Sequence, residues 1–471
     1  MDGEAHPLPV WARVALLIGQ FVFLYAVRWV ILRLTRPAHL VPPRVSPLLR
    51  LINWSLWIPC RLAEMGYEVP RVGYMLGREL SLPKLMRIAE KRTGLSDWGE
   101  TKTFPSLYET VVRRLNEVNT SPFGRLITFD NLMRRLMVRL QVVDAAKKRG
   151  GIKVRAPIFV MGLPRTGTTF LHRLLALDPA ARYPETHELL QPLSTYPREK
   201  RVKYWESKLA QLKAVIPHIE VIHEIGAEEP EECHLGLSVE VPMLPTTYRH
   251  LIRHVVEDAP NIRLPSFESA YELYKRQLEL LAEDPSRRWV LKCPLHVGFV
   301  EDLLTVFPDA TLVWTHRDPA RSLPSLGSLF RTFADMCEQR PTNLRAIGAE
   351  QLVFWSAAIH RATKALKHNP GKCAHVAYDD LVADPLATVE RLYAAIGLAV
   401  SDEFRDRIRA YLDRNNAQRE QIPRHLRKFH AYSLQEYGLT SDKLRAEMPD
   451  YYATYVDAPP VGSKGIKSPF V

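Results

Sequence analysis

Residues 157–171 of this 471-residue chain read PIFVMGLPRTGTTFL. The apolar run Ile158–Met161 is typical of a short buried strand, and from Phe170 onward apolar residues recur at helical spacing. The turn between them holds Gly162 and Gly167. The first turn of a helix has backbone N–H groups without intrahelical partners, and its dipole adds partial positive charge there. A strand, a glycine-bearing turn and a helix start therefore predict a cradle for a phosphate or sulfate group.

The same turn supplies side chains that bind anions. Thr166, Thr168 and Thr169 offer hydroxyl groups, and Arg165 offers a guanidinium fork that suits phosphate or sulfate. The spacing resembles a P-loop, G-x-x-x-x-G-K-[ST], but Thr168 stands where that motif has its lysine. Because that lysine normally reaches the β and γ phosphates, the substitution disfavours a nucleoside triphosphate. An ordinary strand–turn–helix crossover without a ligand is the alternative.

Composition narrows the possible partners. The chain has 64 Lys and Arg against 52 Asp and Glu, and the net charge of +12 suits an anionic ligand, a membrane surface or nucleic acid. We expect no nucleic-acid partner, because zinc-ligand spacing, a basic helix with heptads and an aromatic RNA motif are all missing from the sequence. The five cysteines are scattered and odd in number, which indicates reduced, mostly buried thiols rather than a disulfide framework.

The N-terminal region is strongly apolar. Residues 10–32 form an apolar segment interrupted by Arg13 and Arg28, and its uninterrupted core is shorter than the roughly 20 residues of a clean spanning helix. A cleavage site is not evident, so a retained anchor is favoured over a signal peptide. Arginines follow the segment, which predicts a cytoplasmic location for the rest of the chain, associated with the cytoplasmic face of a membrane. A soluble helix that packs on the protein is the alternative. Residues 46–60 are also apolar and contain two tryptophans.

Four regions follow from the pattern along the chain. They are a membrane-associating segment at 1–60, a helical subdomain at 61–150, an α/β catalytic domain at 151–400 and a polar, basic, loop-rich C-terminal extension at 401–471. Within 151–400, short apolar strands alternate with helices. This predicts a three-layer, P-loop-like α/β core with a parallel central sheet and ligands at the carboxyl ends of its strands. The predicted strands are Ile158–Met161, Arg288–Lys292, Thr311–Thr315 and Ala374–Tyr378.

A second anion site is predicted after the strand that ends near Thr315. Arg317 follows this strand directly, which places it at the same sheet edge as the glycine turn, and a helix start brings Ser325 back to share an anion. His316-Arg317-Asp318 superficially suggests a protein kinase, but the remaining kinase motifs are missing. Asp318 lies beyond the strand, so a clear magnesium-binding carboxylate is also missing. Two phosphate grips without such a carboxylate indicate a ligand with two separated anionic groups.

Together these motifs resemble the sulfotransferase family that uses 3′-phosphoadenosine-5′-phosphosulfate (PAPS). The resemblance covers about 155–400 and rests on the PRTGTTFL turn at 164–171 with Arg317 and Ser325. It is closest to the broad microbial sulfotransferase group, through THELL at 186–190, GAEEPEE at 226–232 and WVLK at 289–292.

The resemblance implies an enzyme that transfers the sulfuryl group of PAPS to a hydroxyl or amine of a small-molecule, lipid or carbohydrate acceptor, without a metal. It implies that the turn holds the 5′-phosphosulfate, that Arg317 and Ser325 hold the 3′-phosphate and that Lys292 lies near the sulfuryl group. The family often has lysine at the position of Arg165. The implied donor-binding residues are Arg165, Thr166, Gly167, Thr168, Thr169, Arg317 and Ser325.

The base that accepts the acceptor's proton is less clearly marked. Relatives commonly place a catalytic glutamate shortly after the first helix, so Glu188 is the first candidate and Glu185 the second. His187, between these two glutamates, is a further candidate, and so is His296, which follows the lysine strand at a displaced position. The acidic run at 228–232, with His223 and His234 nearby, is either a solvated loop or a wall of the acceptor site.

Two other functions stay open at this point. One is a nucleotide kinase with a divergent P-loop, and the other is a non-catalytic, membrane-bound nucleotide-binding protein. The acceptor and the oligomeric state do not follow from the sequence.

Overall fold

A computed structural model gives the structure of the protein. It describes residues 40–41, 45–64, 80–99, 104–117, 120–216, 219, 225–240, 266–339, 341–421 and 432–457.

The centre of the described structure is a five-stranded sheet in the order β3-β4-β2-β5-β7, with every neighbouring pair parallel. Strand β2 lies in the middle and is buried along its whole length, which is why it is apolar on both faces. This confirms the predicted α/β fold with a parallel central sheet. A separate pair, β1 with β6, is antiparallel. The strands are β1 (Leu40–Val41), β2 (Ile158–Gly162), β3 (Ala181–Arg182), β4 (Arg288–Lys292), β5 (Thr311–His316), β6 (Thr342–Asn343) and β7 (Cys373–Ala377).

Helices surround the sheet on both faces. Those of the described residues, in chain order, are α1 (Pro47–Ser55), α2 (Trp57–Glu64), α3 (Leu82–Thr93), α4 (Ser106–Glu117), α5 (Pro122–Lys148), α6 (Thr168–Leu175), α7 (Thr186–Leu190), α8 (Arg198–Val215), α9 (His234–Leu237), α10 (Glu268–Leu281), α11 (Val300–Val306), α12 (Pro319–Cys337), α13 (Leu344–His368), α14 (Tyr378–Ala383), α15 (Pro385–Ala395), α16 (Asp402–Gln421), α17 (Ser441–Glu447) and α18 (Pro449–Tyr451). Short 3-10 helices at Pro294–Phe299 and Gln435–Tyr437 and a π-helical turn at Tyr452–Val456 complete the set.

The two faces of the sheet bury different apolar clusters, as the alternation of strand side chains requires. On one face, Phe159 and Met161 belong to a large cluster that α5, α10 and α13 complete. On the other face, Ile158 and Val160 belong to a cluster completed by α6, α15 and α16. The result is three layers, helix–sheet–helix.

The helices between residues 82 and 148 share the core of the α/β part. Leu132 and Leu136 of α5 lie in the same buried cluster as Phe159 of the central strand. The buried pair Arg139–Glu240 adds an ionic contact between α5 and the region after α9. The boundaries predicted at 60, 150 and 400 stay predictions.

The prediction of a loop-rich region after residue 401 is wrong. Helix α16 occupies Asp402–Gln421, and helical turns continue between 435 and 456. Phe404 and Ile408 of this helix are completely buried against the sheet's second cluster, and Tyr411 and Leu412 pack against the same cluster. Ion pairs one turn apart, such as Arg407–Glu403 at 2.7 Å, cover the outside. The polar composition of the region concealed this stripe, whose spacing is that of an amphipathic helix.

The N-terminal membrane segment predicted at residues 10–32 lies outside the described residues. Among the residues that are described, no helix is long and apolar enough to cross a membrane. All five cysteines are buried thiols that form no disulfide bond, as predicted.

Candidate active site

The turn between β2 and α6 is built around glycines that lie too close to neighbouring atoms for a side chain. A Cβ added to Gly162, at φ 149°, would lie 2.4 Å from the Oγ1 of Thr315 on β5. Gly167 has φ 85° and is the residue that precedes the first helical turn of α6. Glycine adopts such positive φ angles at little cost, so these positions allow the turn to fold against the sheet edge.

Thr166 fastens the turn to the sheet. Its hydroxyl donates to the carbonyl of Leu163 at 2.6 Å and lies 2.6 Å from the Oγ1 of Thr315. The side chain is completely buried. A contribution of Thr166 to anion binding would therefore come from its backbone N–H, whereas Thr168 and Thr169 form the first residues of α6.

The structure brings the two predicted anion grips together. The Nε of Arg165 donates to the hydroxyl of Ser325 at 3.0 Å, and an Nη1 of Arg317 donates to the carbonyl of Arg165 at 2.9 Å. The guanidinium of Arg317 also stacks over the ring of Tyr378, 4.0 Å from its centroid. Asp318 does not face this site as a metal-binding carboxylate, because it caps α12 by accepting from the N–H of Ala320 at 2.8 Å.

The electrostatics of this cluster suit an anion. Burial lowers the pKa of Arg165, the rings of Tyr432 and Tyr378 act in the opposite direction, and the neighbouring charge of Arg317 lowers it further. The Nε of Arg317 is buried without a hydrogen-bond partner in the described structure. Two half-buried arginines placed side by side gain stability when a dianion binds between them.

Lys292, the last residue of β4, links the sheet to the glycine turn. Its side chain is 1% exposed, and its ammonium donates to the Oγ1 of Thr169 at 3.2 Å and to the carboxylate of Glu232 at 2.6 Å. Strand register explains the position, since Lys292 pairs with Val160 on β2, two residues before the turn begins. Parallel pairing thus places Lys292 beside the glycine turn.

Glu185 and Glu188, the first two candidates for the base, hold α7 in place. The carboxylate of Glu188 accepts from Arg182 at 2.5 Å and from the backbone N–H of Glu185 at 2.9 Å. The second of these is half of a capping box at the start of α7. Glu185 accepts from His187 at 2.7 Å and from Arg198 at 2.9 Å. Burial acts to raise the pKa of Glu185, but these two hydrogen bonds outweigh it and the pKa lies below its usual value.

His296, another predicted base, lies in the core, and His187 is also completely buried. His296 is completely buried in the 3-10 helix after β4, and its Nδ1 is 2.7 Å from the hydroxyl of Tyr271. Burial lowers its pKa to about 3, so the imidazole is neutral at pH 7. Its ring packs edge-on against Phe159, 5.1 Å between centroids. The roles of Glu188, Glu185, His187 and His296 as bases stay predictions.

Comparison with known proteins agrees with this geometry. The sequence pattern of the sulfotransferase family matches residues 157–402, from the first residue before β2 to the first residue of α16. This chain belongs to the sulfotransferase family.

Named sulfotransferases resemble the chain in sequence and in structure. Two curated sulfotransferases, each named omega-hydroxy-beta-dihydromenaquinone-9 sulfotransferase Stf3, come from Mycobacterium bovis and Mycobacterium tuberculosis. Each is 26% identical over 267 residues, which is 54% of this chain and 66% of the relative, just under two thirds of its length. The crystal structure of sulfotransferase STF1 from Mycobacterium tuberculosis has a TM-score of 0.66 at 28% identity and covers 79% of this chain and 99% of its own. That of STF9 from Mycobacterium avium has a TM-score of 0.65 at 26% identity and covers 80% and 97%.

The structure brings two residues of the acidic segment, Glu232 and His234, to the glycine turn. The N–H of Cys233 donates to the carbonyl of Lys292 at 2.9 Å, which holds the end of the acidic run against β4. Glu232 then lies between the ammonium of Lys292 at 2.6 Å and the Nδ1 of His234 at 3.1 Å. The sequence signal was the acidic run with His234 nearby, which did not indicate a contact with Lys292. Glu228, in the same run, pairs with Arg198 instead.

Proposed function

We propose that this chain is a PAPS-dependent sulfotransferase that modifies a hydroxyl or amine of a small-molecule, lipid or carbohydrate acceptor. The observation that carries the proposal is the contact of Arg165 with Ser325 and of Arg317 with Arg165, beside a glycine turn that opens a helix. Family membership supplies the reaction class, and this cluster supplies the reason for a donor with two anionic ends.

Separate groups of residues would bind the 5′-phosphosulfate and the 3′-phosphate of the donor. The N–H groups of the turn, with Thr168, Thr169 and Lys292, would hold the 5′-phosphosulfate. Arg317 and Ser325 would hold the 3′-phosphate. Arg165 bonds to Ser325 and so lies between the two ends, instead of serving the 5′ end alone. The buried, unpartnered Nε of Arg317 fits this role, because a phosphate oxygen would satisfy it.

The reaction needs in-line attack, positive charge around the transferred group and a base. The acceptor oxygen or nitrogen attacks sulfur, and adenosine 3′,5′-bisphosphate leaves. Arg165 and Lys292 would offset the charge that builds on the oxygens, so we propose that no metal is required. Glu188, Glu185 and His296 are the bases implied by the family, and a positioned base contributes about 10²–10⁴-fold.

A lipid acceptor and a membrane location are the finer part of this proposal. The curated relatives are named for a menaquinone derivative, which is a lipid. Helices α1 and α2 also present large apolar side chains to solvent, with exposures of 58% for Leu51, 76% for Trp54 and 61% for Ile58. Such a face, with tryptophans and with the basic residues of this region, suits the surface of a bilayer. It would act together with residues 10–32 to hold the enzyme on the cytoplasmic face.

A calorimetric binding experiment tests the donor assignment. We expect adenosine 3′,5′-bisphosphate to bind more tightly than ADP, with no dependence on Mg²⁺, because the grips are built from arginines and a serine. Tighter, Mg²⁺-dependent binding of ADP would instead favour a divergent kinase. Binding of the bisphosphate without sulfation of any acceptor would favour a non-catalytic nucleotide-binding protein.

A further inference from the structure

The segment at residues 231–234 carries chemistry of its own beside the donor grips. The N–H of Cys233 donates to the carbonyl of Lys292 at 2.9 Å, which fixes the segment to the carboxyl end of β4. Helix α9 follows at once and packs Gly236 so closely on Tyr274 that an added Cβ would lie 2.4 Å from its ring. The position of this segment relative to the glycine turn is therefore determined by packing on both sides.

A chain of contacts leads outward from the turn through this segment. The ammonium of Lys292 joins the Oγ1 of Thr169 at 3.2 Å to the Oε1 of Glu232 at 2.6 Å. The other carboxylate oxygen of Glu232 lies 3.1 Å from the Nδ1 of His234. Side-chain exposure rises from 1% at Lys292 to 18% at Glu232 and 19% at His234. The chain thus starts at the buried Lys292 and ends on the partly exposed imidazole of His234.

We propose that His234 accepts the proton of the acceptor in the proposed sulfuryl transfer, and that Glu232 is its positioning residue. The inference rests on the proposed function. A carboxylate that accepts from Nδ1–H holds the ring in the tautomer whose Nε2 carries the lone pair. This is the arrangement of a base that is oriented by a third group.

In the proposed sulfuryl transfer, the O–H or N–H bond of the acceptor breaks, and its proton goes to the Nε2 of His234. The electron pair of the acceptor atom forms the new bond to sulfur. The bond between sulfur and the bridging phosphate oxygen breaks, and its electron pair leaves on adenosine 3′,5′-bisphosphate. Lys292 and Arg165 offset the negative charge on that leaving group.

The other candidates for the base are less available. Both carboxylate oxygens of Glu188 already accept hydrogen bonds, and Glu185 is held by His187 and Arg198. His296 is completely buried against Tyr271. The carboxylates of Glu188 and Glu185 are engaged in contacts that hold α7, and His296 is removed from solvent, whereas the side chain of His234 lies at the partly exposed end of the chain of contacts.

A metal site is the main alternative for these residues. Donor atoms of Glu232, His234 and Cys293 lie within 4.8 Å of one another. However, the ammonium of Lys292 already neutralises Glu232 at 2.6 Å, and a second cation would be repelled. Burial also raises the pKa of Cys293 well above its usual value, which keeps the thiol protonated and makes it a poor ligand.

Several ionisable groups face the pair Glu232 and His234. They are Lys292 and Cys293 at the end of β4, Arg165 in the glycine turn and two buried histidines, His172 and His296. Burial lowers the pKa of both buried histidines to about 3, so neither produces an ionisation near neutral pH.

The test compares His234→Asn with wild type, using radiolabelled PAPS and farnesol, para-nitrophenol or a primary amine as acceptor. Asparagine keeps a donor for Glu232 and lacks Nε2. We expect kcat of His234→Asn to be about 100- to 1,000-fold lower than that of wild type. The decrease of kcat at low pH should disappear. The Kd for adenosine 3′,5′-bisphosphate should change less than twofold. Glu232→Gln should shift the fall in rate to lower pH, because the imidazolium loses its carboxylate. His360→Asn, at an exposed position of α13, is the matched control and should behave as wild type.

Three outcomes overturn the inference, and they are distinguishable. If the wild type sulfates none of the acceptors, the proposed function fails together with the role of His234. If the wild type is active and His234→Asn keeps its kcat and its pH profile, only the role of His234 fails. If the purified enzyme holds one equivalent of zinc, and a chelator removes both metal and activity, His234 is a ligand and not the base.

Discussion

At the scale of the residue, substitution of Arg317 is the sharpest test of donor recognition. Its Nη1 donates to the carbonyl of Arg165 and its guanidinium stacks on Tyr378, so the side chain is held in place. Its Nε has no hydrogen-bond partner in the described structure. We expect Arg317→Ala to weaken binding of adenosine 3′,5′-bisphosphate about 10- to 100-fold, since charged hydrogen bonds contribute about 1.5–3 kcal/mol. AMP lacks the 3′-phosphate and should bind nearly as before. Arg317→Lys keeps the charge and loses the guanidinium fork, so its affinity for the bisphosphate should lie between those of wild type and Arg317→Ala. An unchanged preference for the bisphosphate over AMP in calorimetry would refute the assignment.

Substitution of Glu188 distinguishes a structural role of its carboxylate from a catalytic one. Its pair with Arg182 is largely buried, with side-chain exposures of 13% and 9%, so we expect Glu188→Gln to lower the free energy of unfolding by about 1–3 kcal/mol. The matched control is Glu228→Gln, whose pair with Arg198 is about half exposed and should contribute less than about 1 kcal/mol. Urea denaturation measures both. Normal stability of Glu188→Gln with a large loss of kcat would instead support the base role implied by the family.

At the scale of the element, the glycine turn works only if β2 and β5 stay in close contact. We expect Gly162→Ala to weaken bisphosphate binding more than 10-fold, because its Cβ would lie 2.4 Å from Thr315 and would push the turn off β5. Gly397→Ala is a matched control: Gly397 also has positive φ, at 73°, but an added Cβ meets nothing within 4 Å. It should lower stability by about 1 kcal/mol without affecting binding. Equal binding by the two variants in calorimetry would contradict this account of the turn.

Elements that local pattern specifies were predictable from the sequence, and contacts between distant segments were not. The apolar runs of β2, β4, β5 and β7 marked the sheet, and parallel pairing implied that Arg317 would meet the glycine turn. The two-residue strand β3 is too short to give a periodic signal. Glu232 reaches Lys292 across 60 residues, and no local rule indicates that contact. The capping box of Glu185 and Glu188, by contrast, follows from their three-residue spacing and was available to sequence reasoning.

At the scale of the whole molecule, three buried histidines make the fold sensitive to acid. Burial lowers the pKa of His172 and His296 to about 3 and lowers that of His316 well below its usual value. Between pH 6.5 and 5 the unfolded chain therefore binds protons that the folded chain does not, and stability falls as the pH falls. Each histidine contributes up to about 1.4 kcal/mol per pH unit. Urea denaturation of His296→Gln should show a smaller slope with pH, whereas a slope equal to that of wild type would contradict this origin.

The distribution of exposed apolar side chains over the molecule predicts how it meets a membrane. Helix α1 is fastened to the body through buried Leu49 and a hydrogen bond from Ser46 to the carbonyl of Val215 at 2.8 Å, so its outer face is presented rigidly. We expect replacement of Leu51, Trp54 and Ile58 by serine to weaken binding to vesicles of phosphatidylcholine and phosphatidylglycerol at least 10-fold, because burial of each such side chain contributes about 1.5–3 kcal/mol.

The matched control replaces by serine three large side chains that are exposed elsewhere on the protein. They are Tyr196, Tyr204 and Val382, with exposures of 63%, 51% and 53%. Sedimentation with the vesicles should then give wild-type binding, because these positions do not lie in α1 or α2. Deletion of residues 1–36 in each background separates the face of α1 and α2 from the apolar segment at 10–32. If both triple variants bind equally well and the deletion abolishes binding, the N-terminal segment alone holds the enzyme. If the α1–α2 variant alone loses binding, the folded body recognises the bilayer directly, and a lipid acceptor could be taken from the surface on which the enzyme is already seated.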